Sequence, residues 1–235
     1  MKLSDRLETV VSMVRPAESA ADIGTDHGHV PVELVRRGIA KRALAMDVRK
    51  GPLSRAEEAV ALAGLGDRIE TRLSDGLEKL APGEAETVVI AGMGGELMIH
   101  ILERGRHMWD FVEQWILSPQ SEIPKMRRWL WDNGFPVEKE EMVYEDGKFY
   151  TILSAGRRSG EKPEEKPERF FYYSPYLIST RDPVFMRYLK EEEEKLCSLA
   201  ESLDSLGGHS ERAAAKKREA EEDLRYNREV QNEMQ

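Results

Sequence analysis

Residues 19–31 read SAADIGTDHGHVP. A short apolar run ends in an acid, Asp22, after which Gly24 and Gly28 bracket a polar turn and helix formers begin. Glycine lets the backbone take positive φ and approach a ligand closely, and a helix starting just beyond offers free N–H groups. The segment therefore reads as strand, ligand-facing loop and helix, the opening unit of an α/β fold.

The pattern repeats outward from that loop. An opening helix over Leu3–Val14 precedes the first strand, Ser19–Ile23. Helices are expected at Val30–Arg37, 51–63, Glu96–Met108 and Pro124–Asn133, alternating with strands Ala43–Asp47, Ile69–Leu73, Thr87–Ala91 and Trp115–Ser118. Alternation of this kind calls for a mostly parallel sheet covered on both faces. The last two strands, Val137–Tyr144 and Lys148–Ala155, flank Glu145-Asp146-Gly147, and Asp-Gly is a strong hairpin signal, so the sheet of seven strands should finish with an antiparallel pair.

The chain changes character near Gly160, where the charged, proline-punctuated GEKPEEKPE of residues 160–168 reads as an extended linker. Two domains follow, 1–160 and 161–235. In the second, Asp182-Pro183 is a helix start, and Phe185, Leu189, Leu196, Leu199, Leu203 and Leu206 form one apolar stripe, interrupted by Glu192 at a seam position. Gly207-Gly208 should end that helix and a second should run from Ser210, giving an antiparallel helical hairpin of coiled-coil type. A solvated pair or a dimerisation element is the plainest use of such a tail.

Composition narrows the function classes. The lone Cys197 excludes an internal disulfide framework and multi-cysteine metal sites, and it suits a reducing cytosol. No run approaches the roughly 18 apolar residues of a membrane span, and charges interrupt the N-terminal stretch where a signal peptide is apolar. A cytoplasmic protein with no membrane partner is expected. With 35 basic against 44 acidic residues, a net of −9, the whole molecule does not attract nucleic acid, so any such partner meets a local patch. Candidate patches are Arg36-Arg37 with Lys41-Arg42, then Lys125, Arg127 and Arg128, then Lys216-Lys217-Arg218; each reads equally well as a solvated helix end.

Three acids fall at strand ends. Asp47 lies 25 residues after Asp22, about where an acid grips a ribose diol in nucleoside-binding α/β folds, though it also reads as a helix cap. Asp75-Gly76 closes the third strand. Ligands of open α/β sheets bind beyond the carboxyl ends of the strands, so three acids in that register mark one site. The fourth strand runs into VVIAGMGGELM (88–98), whose Gly92, Gly94 and Gly95 read as a backbone floor under a flat ligand, with Met93 against it. His27 and His29 lack further ligands at metal-binding spacing, so no metal is expected; His27 should shape the pocket and His29 should be structural.

Together, LSDRL (3–7), DIGTDHGHVP (22–31), AGMGGELM (91–98), ILSPQ (116–120), the Arg127-Arg128-Trp129-Leu130 helix, EDGKFYTIL (145–153) and a helical tail resemble the bacterial tRNA (adenine-22-N1)-methyltransferase family. The resemblance implies a Rossmann-like class I methyltransferase sheet and transfer of a methyl group from S-adenosylmethionine to N1 of an adenine in tRNA. S-adenosylhomocysteine is then the product, and the helical domain helps hold the RNA. Carried onto this chain, it implies donor contacts from Asp22, Gly24, Thr25, His27, Asp47, Val48, Asp75, Gly76, Gly92, Met93 and Gly94. Substrate contacts fall to Arg6, Gly95, Pro119, Gln120, Lys125, Arg127 and Arg128. DNA is not an expected partner, and a monomer is the expected state.

The chain departs from the pattern at three places. Asp26 stands where the comparable loop carries its middle glycine. This extra carboxylate would repel a pyrophosphate but suits a donor carrying a sulfonium and an ammonium. Asp26 is the catalytic candidate, stabilising the charge that develops on a methylated adenine or accepting an amino proton; holding the loop amides is its other reading. Pro119-Gln120 replaces Pro-Asn, and the helix after the second strand, RAEEAVALAG (55–64), lacks an Asn that methyltransferases often carry there. Two other functions stay open: a catalytically silent donor-binding partner of RNA or protein, and a small-molecule methyltransferase, which the acidic net charge favours.

Overall fold

A computed structural model describes residues 3–158, 165–205 and 211–235 and divides the chain into two compact units, Met1–Glu165 and Lys166–Gln235. Most of the expected linker, the Gly207-Gly208 turn and Leu206 lie outside the described residues.

The first unit carries α1 (Asp5–Ser12), β1 (Ala17–Ile23), α2 (His29–Arg36), β2 (Ala40–Asp47), α3 (Lys50–Leu62), β3 (Ile69–Leu73), β4 (Thr87–Met93) and α4 (Gly95–Arg104). It continues through β5 (Gln114–Pro119), α5 (Ile123–Asp132), β6 (Val137–Glu145) and β7 (Lys148–Ala155). The seven strands form one sheet in the order β3-β2-β1-β4-β5-β7-β6. The first five are parallel, whereas β7 is antiparallel to both β5 and β6, so the expected hairpin is inserted with its second strand inward.

Burial follows the two-residue period of strands covered on both faces. Val88 and Ile90 of β4 pack with Met98 and Leu102 of α4 and with Met126 and Leu130 of α5. Val89, between them, joins Val10 and Val11 of α1 and Val30 and Leu34 of α2 on the opposite face. On β5, Trp115 and Leu117 belong to the first cluster and Ile116 to the second. Helices on both faces thereby lock the strand register, and with it the line along which the strand tips end.

Two helices are shorter than expected. The first starts at Asp5 because the Ser4 hydroxyl accepts from the Leu7 amide at 3.3 Å. The helix expected over 96–108 stops at Arg104, with Gly105 as its C-cap, and a separate 3-10 turn spans Arg106–Met108.

The second unit contains α6 (Arg169–Tyr172), α7 (Pro175–Thr180), α8 (Pro183–Ser205) and α9 (Glu211–Glu233). Asp182 caps α8 as anticipated, accepting from the Phe185 amide at 2.7 Å. The first half of α8 meets the last third of α9, through Asn227 Nδ2 to the Leu189 carbonyl at 3.1 Å and Arg228 to Glu193 at 2.7 Å, so the two run antiparallel. Glu192 is accommodated at the seam because it accepts from the Tyr173 hydroxyl at 2.6 Å, from Asn227 at 3.0 Å and from the Tyr188 hydroxyl.

Candidate functional site

The strand order reverses between β1 and β4, both parallel and adjacent, and a crevice opens at their carboxyl ends. A cavity of about 590 Å³ fills it. Its walls carry Asp22 from the end of β1 with Gly24, Asp26 and His27 from the loop after it, Asp47 from the end of β2 with Val48 and Arg49 after it, and Ser74, Asp75 and Gly76 after β3. Gly92 and Met93 end β4 on the same wall, Gln120 follows β5, and Arg6 and Leu7 reach in from α1.

The acids are not equivalent. Asp22 is buried and makes no ion pair among the described residues; burial raises its pKa to about 6, the Thr25 hydroxyl opposes that rise and the Asp47 charge adds to it. Asp47 is also buried, and its Oδ1 accepts from the Arg49 amide at 2.7 Å, so the capping reading and the ligand-facing reading hold together. Asp75 is half-exposed and lies 2.7 Å from Arg104. Two buried carboxylates, Asp22 with no ion pair among the described residues and Asp47 met only by the exposed Arg49 Nε at 3.8 Å, make a site that a positively charged ligand stabilises and a phosphate opposes.

The backbone leaves room for that ligand. Gly24 has φ +76°, and a Cβ there would fall 1.9 Å from Met93 Cε, so any side chain would drive Met93 into the cavity. The Gly24 and Thr25 amides both donate to the Met46 carbonyl, at 2.7 and 2.9 Å, which ties the loop to β2. His27 sits at φ +62°, uncommon for a residue with a side chain, and its ring stacks on His29 with centroids 5.4 Å apart. His29, expected to be structural, lines the cavity, and its buried Nδ1 has no hydrogen-bond partner. Burial, followed by the His27 charge, lowers its pKa, so its ring is neutral near pH 7.

Several candidates stand elsewhere. Thr25 is buried behind the loop, and neither it nor Gly94 lines the cavity. Gly94 and Gly95 are needed for packing, not for a ligand floor: Cβ atoms there would meet Ser121 Oγ at 2.9 Å and the Ser121 carbonyl at 2.6 Å. Pro119 ends β5 outside the lining, while its neighbour Gln120 is within it. Asp26 lines the cavity but pairs with Arg55 at 2.6 Å, and that contact, ahead of all others, holds its pKa below the usual carboxylate value. It is thus a weak proton acceptor.

Most basic candidates are engaged locally. Arg127 is no phosphate ligand: it is buried on α5 with its Nη2 2.5 Å from Glu140 of β6. Lys125 pairs with Glu96 at 2.5 Å, and Arg128, half-buried on the same helix, does not line the cavity. Arg36 and Arg37 both close on Glu33, Arg37 also on Glu8, and Lys41 on Glu18. The exposed pairs among these, Lys125–Glu96, Arg37–Glu8 and Lys41–Glu18, are weak enough for phosphates to displace, whereas Glu33 and Glu140 are buried and hold their arginines.

Comparison with known proteins agrees with this geometry. The methyltransferase-domain family profile matches residues 3–153. The tRNA (adenine(22)-N(1))-methyltransferase of Bacillus subtilis is 34% identical over 205 residues, spanning 86% of each chain. This chain belongs to that family. The crystal structure of the Bacillus subtilis M1A22 tRNA methyltransferase superposes on this member of the family with a TM-score of 0.85 at 32% identity, covering 98% of this chain and 99% of that one. Streptococcus pneumoniae Sp1610, solved in complex with S-adenosyl-L-methionine, gives a TM-score of 0.84 at 32% identity and covers 98% of this chain and all of its own.

In this tRNA (adenine(22)-N(1))-methyltransferase family member, the lining includes residues that sequence reading passed over. Leu97, 51% exposed in the first turn of α4, puts an apolar side chain on the wall, as does Val48, the expected donor contact, at 58% exposed. Exposed large apolar groups at a helix start are the signal that could have flagged Leu97. Among the described residues, no group of three or more His, Cys, Asp or Glu side chains is arranged to hold a metal ion, and no helix is long and apolar enough to cross a membrane.

Proposed function

We propose that the cavity binds S-adenosylmethionine and that the protein methylates N1 of adenine 22 in tRNA. The observation that carries this reading is the pair of buried carboxylates at the tips of β1 and β2, Asp22 with no ion pair among the described residues and Asp47 met only by the exposed Arg49 Nε at 3.8 Å, beside a backbone stripped of side chains at Gly24. A ligand with an ammonium, a sulfonium and a ribose satisfies such a wall, and the relatives named above act on tRNA adenine or were solved with that compound.

Asp22 and Asp47 supply the negative wall, with Asp75 at its outer edge and His27, Val48, Gly76, Gly92 and Met93 around it. When bound, the donor supplies an electrophilic methyl carbon. Adenine N1 is largely unprotonated at neutral pH, so its lone pair needs no general base, and alignment inside a walled cavity can account for roughly 7–11 kcal/mol of barrier lowering. Asp26, anionic through its Arg55 contact, acts as a fixed negative charge opposite the positive ring that methylation creates. The helical unit assists with RNA through exposed Lys216 and Arg218 of α9. The reading takes the protein to act as a monomer in the cytoplasm.

The test is transfer of labelled methyl from S-adenosylmethionine to unmodified tRNA, followed by nucleoside analysis. Label in 1-methyladenosine, lost when adenine 22 is replaced, is expected. Donor binding with no transfer identifies a silent binding protein, and transfer only to metabolites a small-molecule enzyme.

Binding should also depend on pH. Burial lifts Asp22 to about 6, so its charge, and the attraction for a cation, is present above that value and lost below it. Protonation of His29 at lower pH acts in the same direction. Affinity for S-adenosylhomocysteine should rise between pH 5 and 7 and then level off, with the rise flattened in Asp22→Asn. A wild-type profile without slope across that window contradicts the assignment of Asp22.

A further inference from the structure

One wall of the cavity has the opposite sign. Arg6, in the first turn of α1, reaches the end of β4, where a Cβ on Gly92 would lie 3.9 Å from its Nη1. The guanidinium stacks on the ring of Tyr150 from β7, its carbon 5.3 Å from the ring centroid. The start of α1 is pinned to the same hairpin, because the Asp5 amide donates to Glu145 Oε1 at 2.7 Å. Yet Arg6 Nη1 is buried and has no hydrogen-bond partner.

A buried guanidinium donor without an acceptor is unfavourable, and in a cavity it marks where a ligand brings one. The acids occupy the β1–β3 side of the sheet, whereas Arg6 rests on Tyr150 two strands beyond β4, towards β7. The donor's ammonium and sulfonium are drawn to the acids, while its carboxylate competes with the target nucleotide for Arg6, so the donor-product affinity of an Arg6 variant decides between the two ligands. The planar ion is preorganised by the aromatic face beneath it, a role that lysine does not reproduce.

We infer that Arg6, held flat by Tyr150, clamps the target nucleotide by donating from Nη1 to an acceptor on its base or its phosphate. This rests on the proposed tRNA methylation. Arg6 is the contact residue and Tyr150 a positioning residue acting through it.

The experiment measures steady-state methylation of unmodified tRNA, S-adenosylhomocysteine binding by calorimetry and thermal unfolding for wild type, Arg6→Ala, Arg6→Lys, Tyr150→Phe and Tyr150→Ala. Arg6→Ala should lower kcat/KM for tRNA roughly 10- to 100-fold, the size of one hydrogen bond to a charged group. Its S-adenosylhomocysteine affinity should stay within about twofold and its melting temperature near wild type. Arg6→Lys should recover only part of the loss. Tyr150→Phe, which keeps the ring face, should match wild type, whereas Tyr150→Ala should follow Arg6→Ala. The salt dependence of KM separates the two acceptors: a log–log slope shallower by about one in Arg6→Ala marks a phosphate, and an unchanged slope marks the base. Full activity of Arg6→Ala, or an equal loss of S-adenosylhomocysteine affinity, overturns the inference. A wild-type protein that makes no 1-methyladenosine fails the proposed function instead, before any variant is compared.

Discussion

Arg127→Met should destabilise the first unit by about 3–5 kcal/mol, because it leaves Glu140 buried as an uncompensated carboxylate. For a chain of this size each kcal/mol moves the midpoint by about 2–4 °C, so a fall of roughly 6–20 °C is expected. Replacing both partners, as Arg127→Met with Glu140→Leu, removes the stranded charge and should recover most of the loss. Differential scanning calorimetry of the two variants checks this. The variant pair also decides what Arg127 is for. If Arg127→Met kept its midpoint but lost affinity for tRNA, Arg127 would be an RNA ligand and the buried pair incidental.

The second large effect concerns the donor. Asp47→Ala should weaken S-adenosylhomocysteine binding roughly 10- to 100-fold, since a hydrogen bond to a charged group contributes about 1.5–3 kcal/mol. The fold should survive, because Asp47 lies at the very end of β2 and its contacts, from the Arg49 amide at 2.7 Å and the exposed Arg49 Nε at 3.8 Å, only close the turn that follows the strand. Calorimetric titration reads the affinity, and circular dichroism reads the fold. Unchanged affinity would remove Asp47 from the donor site and leave it a turn-closing residue.

How far the residues alone carried the reading depends on the range of the interactions involved. Asp22, Asp47 and Asp75 reach one cavity because each lies at or just beyond the carboxyl end of a strand, and parallel strands covered by helices end on one edge. The hairpin followed from Asp146-Gly147 for the same local reason, although its inverted insertion, β7 inside β6, depends on pairing with β5 across the sheet. α7 was missed even though its start is written locally: Ser174 caps the Leu177 amide at 3.3 Å and Pro175 follows.

Partners distant in sequence were the ones that could not be read. Nothing around Arg127 announces Glu140, and a charge beside other charges on an amphipathic helix reads as solvated. Gly94 and Gly95 resemble a ligand floor until Ser121 is seen against them. Asp26 was a candidate base until Arg55, a turn into α3, was found 2.6 Å away. Tyr150 gave no signal at all, since an aromatic residue in a strand is ordinary and only α1 folding over the hairpin puts Arg6 on its ring.

The central claim is that the cavity between β1 and β4 is built for a cationic sulfur nucleoside and not for a dinucleotide. Titration of the wild-type protein with S-adenosylmethionine and with NAD under the same buffer tests it most directly. The account predicts saturable binding of the first at one site per chain and none of the second. Binding of NAD with no response to S-adenosylmethionine would contradict it.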